Sequence, residues 1–507
     1  MGAESHRPSS LRIFILLFLF LNSVYLVTSS GRVRTIDEVI VDLEAESLAT
    51  HGSTSVPQAV AMNSFYGKID REGKPQAPYG AVQAALVVPW YVLGRVLRSV
   101  VPGIPPAARD LALDAVVTAS SATFAALAGA LVFLLLARAG IAVGAAAAAS
   151  LIVSFSTPLF AYSSWFFSEP LTAALLLGAA LVLFSEGVSD SVSLKRAAQA
   201  GVLLGVAMWV RPTHLIAVPV FLLAILARDR SRGLGSACVL AVVAGLFGAA
   251  YLLRNQMLFG NFLDFGYPAA AEGGKQLNTF ETPLATGLFG FLLSPGKSVL
   301  LFAPPLLIAL PGIFRLARFD RGLAVLAGIA PISYLVFYAR YTQWEGGYSF
   351  GPRYLLPVIP LAALGLGSML EQGGRWIRRL AVALAVAGFL VQAIGMSTSF
   401  LEDQANGSYY DEHWNYRMSY SPLISQSERL IHYLGSDSPA PIGLGFDRWF
   451  VFLAKGGVSQ ATLACGLLLE CFAAIASGWL LVSELRTGAG PVAQGVPKIA
   501  KQPTVGR

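Results

Sequence analysis

Long apolar runs separated by short charged loops set the pattern of this chain. The first run extends from Leu11 to about Thr28, and the string beginning there reads LRIFILLFLFLNSVYLVTSS. Others lie near 110–137, 141–161, 170–186, 197–210, 213–227, 235–253, 298–314, 322–338, 354–370, 379–397 and 458–482. Most approach the roughly 20 residues that a helix needs to cross a bilayer. The pattern predicts an all-α, polytopic transmembrane helix bundle of about twelve spans. Runs 197–210 and 213–227 are short, and Arg211-Pro212 stands between them. Proline lacks a backbone N–H and breaks or kinks a helix, so two short spans joined by a turn are expected.

Segment 80–100 departs from the pattern. It carries Gln83, Pro89, Arg95 and Arg98, with Trp90 and Tyr91 at its middle. Interfacial helices hold such aromatic and basic residues, so this segment is expected to lie flat on the membrane. The alternative is a true span. The start of the chain has features of a secretory signal, with Arg7 and Arg12 before the apolar core and Thr28-Ser29-Ser30-Gly31 after it. An apolar core of about 17 residues is long for that purpose, and an uncleaved first helix is expected.

Composition agrees. The chain has 507 residues, 55% hydrophobic and only 13% charged, whereas soluble domains carry roughly 25% charged residues. A soluble enzyme with a single anchor is excluded. The net charge of +7 is scattered, and no Lys/Arg stripe carries interleaved aromatics, so nucleic acid is not an expected partner. With a cytoplasmic N-terminus, the span scheme places 18 basic and 7 acidic groups inside, as the positive-inside rule requires. Both termini are then cytoplasmic. A rival threading makes 80–100 a span and 197–227 one helix. Charge barely separates the two, but the rival moves Glu169 to the opposite face.

The long loops 29–109, 254–297, 339–353 and 398–457 all fall outside, so chemistry is expected there. A membrane module through about residue 400 is followed by an outer loop and last span over 401–484, then a basic tail over 485–507 that reads as disordered. Cys238, Cys465 and Cys471 lie in apolar runs without metal-ligand spacing and read as small buried residues.

The candidate chemistry begins just past the first run, at Asp37-Glu38. A charge costs several kcal/mol in hydrocarbon, so such a pair belongs at the interface or in a polar cavity. It opens a polar loop of roughly fifty residues, longer than compact bundles usually carry. A catalytic carboxylate is one reading, and acids answering the dipole of a helix over 37–50 are the other. Asp42, Glu44 and Glu46 fit the second reading. Glu169, in SSWFFSEPL, precedes Pro170, a favoured first helical residue. Arg211, Arg254 and Arg353 stand at membrane edges facing outward, and a guanidinium can grip two phosphate oxygens at once. Trp344 and Glu345 lie shortly before Arg353 and combine an aromatic ring with a carboxylate, a pairing that suits a sugar. Lys74, in GKP, is a flexible point charge suited to a phosphodiester. Interfacial anchoring is the plainer reading for these arginines, aromatics and lysine. Gly296-Lys297-Ser298 lacks phosphate-loop spacing, because position 291 is Phe, so nucleotide binding is rejected. The five histidines form no spaced pair. Asn406-Gly407-Ser408 is a glycosylation sequon by pattern.

Taken in order, TIDEVIVDLEAESLATHG, DREGKPQAPYG, YSSWFFSEPL, MWVRPTH, LRNQMLFGNFLDFGY, GLFGFLLSPGKSVLLFAPPLL and WEGGYSFGPRYLLPVIP resemble the GT-C superfamily of membrane glycosyltransferases. That group includes the protein O-mannosyltransferases and the aminoarabinose transferases that modify lipid A. The resemblance covers about residues 10–400. It implies transfer of a monosaccharide from a polyprenyl-phosphate donor to a glycan, lipid or protein hydroxyl on the outer face, with inversion. It implies Asp37 as general base with Glu38 beside it, Glu169 where relatives usually carry aspartate, and Lys74 at the lipid phosphate. No cofactor is expected, although Asp37, Glu38 and Glu169 have the hard oxygens that a divalent cation takes. Two other classes compete. A transporter of lipid-linked glycans would carry mid-span ionisable groups and repeats. Most acids here lie at outer ends of spans, with Glu470 the main exception. A non-catalytic assembly subunit would keep the fold without the chemistry.

Overall fold

The computed structural model describes residues 10–184, 192–230, 232–267, 279–347, 349–401, 414–435 and 445–487. The sequon at Asn406, Tyr348 and the tail beyond 487 lie outside the described residues. Helices occupy all twelve apolar runs. They are α1 (Ser10–Thr28), α4 (Arg109–Arg138), α5 (Val143–Ser156), α6 (Glu169–Phe184), α7 (Leu194–Val210), α8 (Ala217–Arg228), α9 (Gly233–Phe259), α11 (Leu306–Leu316), α12 (Arg321–Arg340), α13 (Gly365–Gln372, entered through tight turns from Arg353), α14 (Arg375–Gly395) and α16 (Gln460–Thr487). Seven helical segments are long and apolar enough to cross a membrane, and five shorter apolar helices accompany them. The chain is a polytopic helical membrane protein.

The longer helices between the spans include α2 (Ile36–His51), α3 (Val82–Val100) and α15 (Pro422–Gly435). An apolar helix, α10 (Leu284–Leu293), lies within the stretch 254–297 that the hydropathy pattern presents as loop. A short hairpin of β1 (Lys68–Ile69) and β2 (Pro75–Gln76) precedes α3.

The core is built from α1, α4, α5, α6, α8 and α12, filled by alanine, leucine and aromatic side chains. Tyr25 of α1 is fully buried there and donates to the Ser154 carbonyl at 2.8 Å. On the periphery, α16 turns Leu468, Leu469, Phe472, Ile475 and Trp479 outward. Cys238, Cys465 and Cys471 are free and exposed on α9 and α16, which corrects their reading as buried residues. A lipid-facing position is as apolar as a packed one, so an apolar run alone does not separate the two.

Helix α3 does not span. Its entry residue Gly80 abuts the carbonyl of Trp209, at the end of α7 that meets the Arg211 turn. Past its other end, the Gly103 carbonyl accepts from Ser459 N at 2.9 Å, just before α16. Both neighbours lie on the face that carries Asp37, so α3 rests along that face, against α2 and α4. The Arg211-Pro212 break is also present: α7 stops at Val210, and a 3-10 turn over Pro212–Ile216 starts the next span.

Candidate active site

Four parts of the chain converge at the start of α2. The first turn of α2 brings Asp37, the start of α6 Glu169, the α7–α8 turn Arg211, and the α12–α13 connection Arg353.

Adjacent acids take opposite tasks at the start of α2. Thr35 caps the helix, its hydroxyl accepting from Glu38 N at 3.2 Å. The fully buried Glu38 reaches back, Oε2 accepting from the Thr35 and Arg34 amides at 2.8 Å each. Its Oε1 accepts from Phe166 N at 2.9 Å, which ties α2 to the loop carrying Glu169. Glu38 thus completes a capping box and fixes two loops, with both oxygens on backbone amides. Asp37 lies on the other side of the helix start, its side chain 27% exposed.

The Tyr79 hydroxyl donates to Asp37 Oδ1. Arg353 Nη2 donates to Asp37 Oδ2 at 2.9 Å, and Arg353 Nε donates to Glu169 Oε1 at 2.7 Å. Arg211 lies 3.6 Å from Asp37 and 3.8 Å from Glu169. Two carboxylates and two guanidiniums therefore interlock. Such pairing is what makes charges tolerable away from water. Arg353 also lies over the Phe167 ring at 3.9 Å, and Arg211 over Tyr79 at 5.3 Å. Burial alone would push the Asp37 carboxyl up. Arg353, Arg211 and the Tyr79 hydrogen bond outweigh it and hold the carboxyl below its ordinary value.

Tyr79 reaches Asp37 because residue 80 is glycine. A Cβ there would stand 1.7 Å from the Trp209 carbonyl oxygen, so any other residue would push the segment away. On the far wall, Gly346 and Gly347 have φ of +78° and +60°, a conformation that glycine adopts without strain.

A cavity of about 1140 Å³ opens from this cluster. Its polar lining is Arg34, Asp37, Arg211 and Arg353 with Tyr66, Tyr79, Tyr267, Tyr338, Tyr341 and Tyr354. Tyr338 and Tyr354 stack at 4.5 Å. Its apolar lining includes Leu215, Ile216, Val218, Pro219 and Leu222 of the second half-span and Phe337 of α12. Leu215 is 60% exposed, on the outside of the bundle. A smaller void of about 10 Å³ lies behind Asp37, between Gln83 and Ser168, room for about one water.

The other sequence candidates are placed apart from the cavity. Lys74 sits on the hairpin, 57% exposed, and pairs with Glu72 at 2.8 Å. Arg254 lies over the Tyr251 ring at 5.7 Å, at the end of α9. Trp344 packs on Phe291 and Tyr416. Neither Trp344 nor Glu345 lines the cavity, whereas the next two residues, Gly346 and Gly347, do. Glu44 is 1% exposed and burial pushes it up to about 8, so it is not the surface helix charge expected. Among the described residues, no three His, Cys, Asp or Glu side chains are grouped to hold a metal.

Several site residues escaped the sequence reading. Arg34 lines the cavity and pairs with Asp447 at 2.5 Å, while Arg32 pairs with the other oxygen at 2.8 Å. Burial would raise Asp447, but Arg34 and Arg32 hold it below the usual carboxylate range. That buried triad joins the segment between α1 and α2 to the segment before α16. Lys297, in the rejected phosphate-loop string, is fully buried and donates to the Ser349 carbonyl at 2.7 Å and hydroxyl at 3.0 Å.

No family model matches the chain, and no curated protein matches it. Solved structures similar to the chain include two crystal structures of ArnT from Cupriavidus metallidurans. The one bound to undecaprenyl phosphate is 15% identical and the apo one 16%. Each comparison covers 94% of this chain and 76% of that chain, with a TM-score of 0.46. A likeness this distant carries no information about individual residues.

Proposed function

We propose that the protein is a membrane glycosyltransferase that moves a sugar from a polyprenyl-phosphate donor to a hydroxyl acceptor on the outer face. The observation that carries this reading is the mixed lining of the cavity. A carboxylate and two arginines share it with a row of apolar side chains from the second half-span. An amphiphile with an anionic headgroup suits both kinds of lining. A long isoprenoid dissolves only in lipid, so the wall of Leu215, Pro219 and Phe337 is where its first units lie.

Asp37 acts as the general base. Its carboxylate takes the acceptor's O–H proton while that oxygen attacks the anomeric carbon. The bond from that carbon to the phosphate oxygen breaks, and its electron pair leaves with polyprenyl phosphate. Attack opposite the leaving group inverts the centre. The leaving phosphate gains a negative charge, which Arg211 and Arg353 stabilise. Tyrosines 66, 267, 341 and 354 offer ring faces and hydroxyls to the sugar. Glu38 holds α2, and Glu169 holds Arg353. No cofactor has a part in this scheme.

The test is release of polyprenyl phosphate by purified protein from a panel of synthetic polyprenyl-phosphate sugars, with mass spectrometry of envelope glycans from a deletion strain to name the sugar. No release from any donor, and no glycan missing from the strain, would overturn the reading. Cytoplasmic termini place the cavity outside. A cysteine at position 74, with the three native cysteines replaced, would then react with an impermeant maleimide added to intact cells.

A further inference from the structure

Asp37 has no idle oxygen. Oδ1 accepts from Tyr79, and Oδ2 accepts from Arg353 at 2.9 Å with Arg211 3.6 Å away. A general base must present a lone pair to the proton it takes. An oxygen facing two guanidiniums presents it poorly. Yet both guanidiniums also line the cavity, where an anionic ligand would meet them. Arg353 is anchored from behind, its Nε on the buried Glu169 at 2.7 Å. That anchor leaves the Nη edge able to change partners while the guanidinium stays in place. A phosphodiester and a carboxylate want the same planar donors.

We propose that Arg353 and Arg211 serve two anions in turn: they hold Asp37 in the empty protein and turn to the donor phosphate when it enters, freeing Oδ2 as base only then. This rests on the donor reading above. Glu169 is the positioning residue of the exchange, because it keeps Arg353 within reach of both anions. The charged and titratable groups facing Asp37 are Tyr79 from the segment before α3, Tyr267 after α9, Arg211 from the α7–α8 turn and Arg353 before α13. Glu169 lies across the arginines.

Competition of this kind is reciprocal. The test uses the full chain in nanodiscs, with farnesyl phosphate as probe and calorimetry as readout. Wild type binds the probe saturably, and Asp37→Asn binds it about tenfold more tightly, since one opposite charge shifts a carboxylate by about 1–3 pH units. In an Arg353→Gln background, the Asp37→Asn gain shrinks, because only the more distant Arg211 is still shared. Mere repulsion between Asp37 and phosphate would leave that gain intact, and such a result would overturn the exchange. So would equal or weaker binding by Asp37→Asn at an unchanged melting temperature. Should the probe bind neither wild type nor variant, the donor reading itself falls, and the exchange falls with it. A cryo-EM structure of the wild-type complex supplies a second measurement. Arg353 Nη2 on a phosphate oxygen and beyond hydrogen-bond reach of Asp37 is the expected arrangement, and Nη2 still on Oδ2 would overturn it.

Discussion

Two ion pairs sit at opposite ends of the same half-span. At one end, Arg228 meets Asp320 at 2.9 Å, with side chains only 4% and 2% exposed. Asp320 also caps α12, accepting from Leu323 N at 3.0 Å, and Arg228 lies over Phe184 at 5.2 Å. At the other end, Arg211 and Arg353 meet Asp37, which stays 27% exposed, and both arginines line a cavity. The chemistry of the two pairs is the same. What differs is an open edge, so an ion pair becomes a candidate site when a ligand can reach it, not because it is buried.

That contrast can be broken experimentally, and the largest effect belongs to the open pair. Asp37→Asn should lower sugar transfer about 10²–10⁴-fold, the usual worth of a positioned base, with a smaller loss of thermal stability than at Asp320 because Asp37 stays partly in solvent. Asp320→Ala should do the reverse. It takes the Asp320 carboxylate away from the buried Arg228 at a cost of about 3–5 kcal/mol, read as a lower melting temperature with transfer per folded molecule retained. Glu38→Gln comes next. It exchanges a charged cap for a neutral one and puts an amide against donors, costing about 1–3 kcal/mol in the same melting assay. It should leave the pH profile of transfer unmoved, which separates it from its neighbour Asp37.

The pH dependence sharpens the open end further. A carboxyl held low in the folded protein stabilises it above the ordinary aspartate range, and that contribution fades as pH falls through the lowered pKa. The acid limb of kcat/KM, which reports the unliganded protein, should therefore lie below the ordinary aspartate range. The limb of kcat should lie higher, once phosphate has taken the arginines. The smallest effect is expected at Lys74→Ala, within about twofold of wild-type transfer, because its partner Glu72 is also in solvent.

The helices were legible because span length and hydrophobicity are local properties. The α7–α8 break was legible because Pro212 imposes it. Helix α10 was not, since ten apolar residues interrupted by glycines do not reach span length. Asp37, Glu169, Arg211 and Arg353 could each be picked out as a charge at an outward membrane edge. Their meeting could not, because it depends on how four loops from distant parts of the chain fold over one end of the bundle. By the same local criterion, Arg254 and Lys74 looked equally eligible, and the structure places them elsewhere. Tyr79 is one of 17 tyrosines, and nothing in its neighbours marks it except Gly80, whose missing side chain brings it close. Arg34 and Asp447 are 413 residues apart, and no local pattern links them.

The first and last spans lie side by side, with Arg12 and Glu484 joined at 2.8 Å at one end and the Ser29 carbonyl accepting from Trp449 N at 3.0 Å near the other. They therefore run in opposite directions, and the chain enters and leaves the bundle through the same surface. A pH-sensitive fluorescent tag fused to either extremity should read the same compartment, so the two fusions must brighten or dim together.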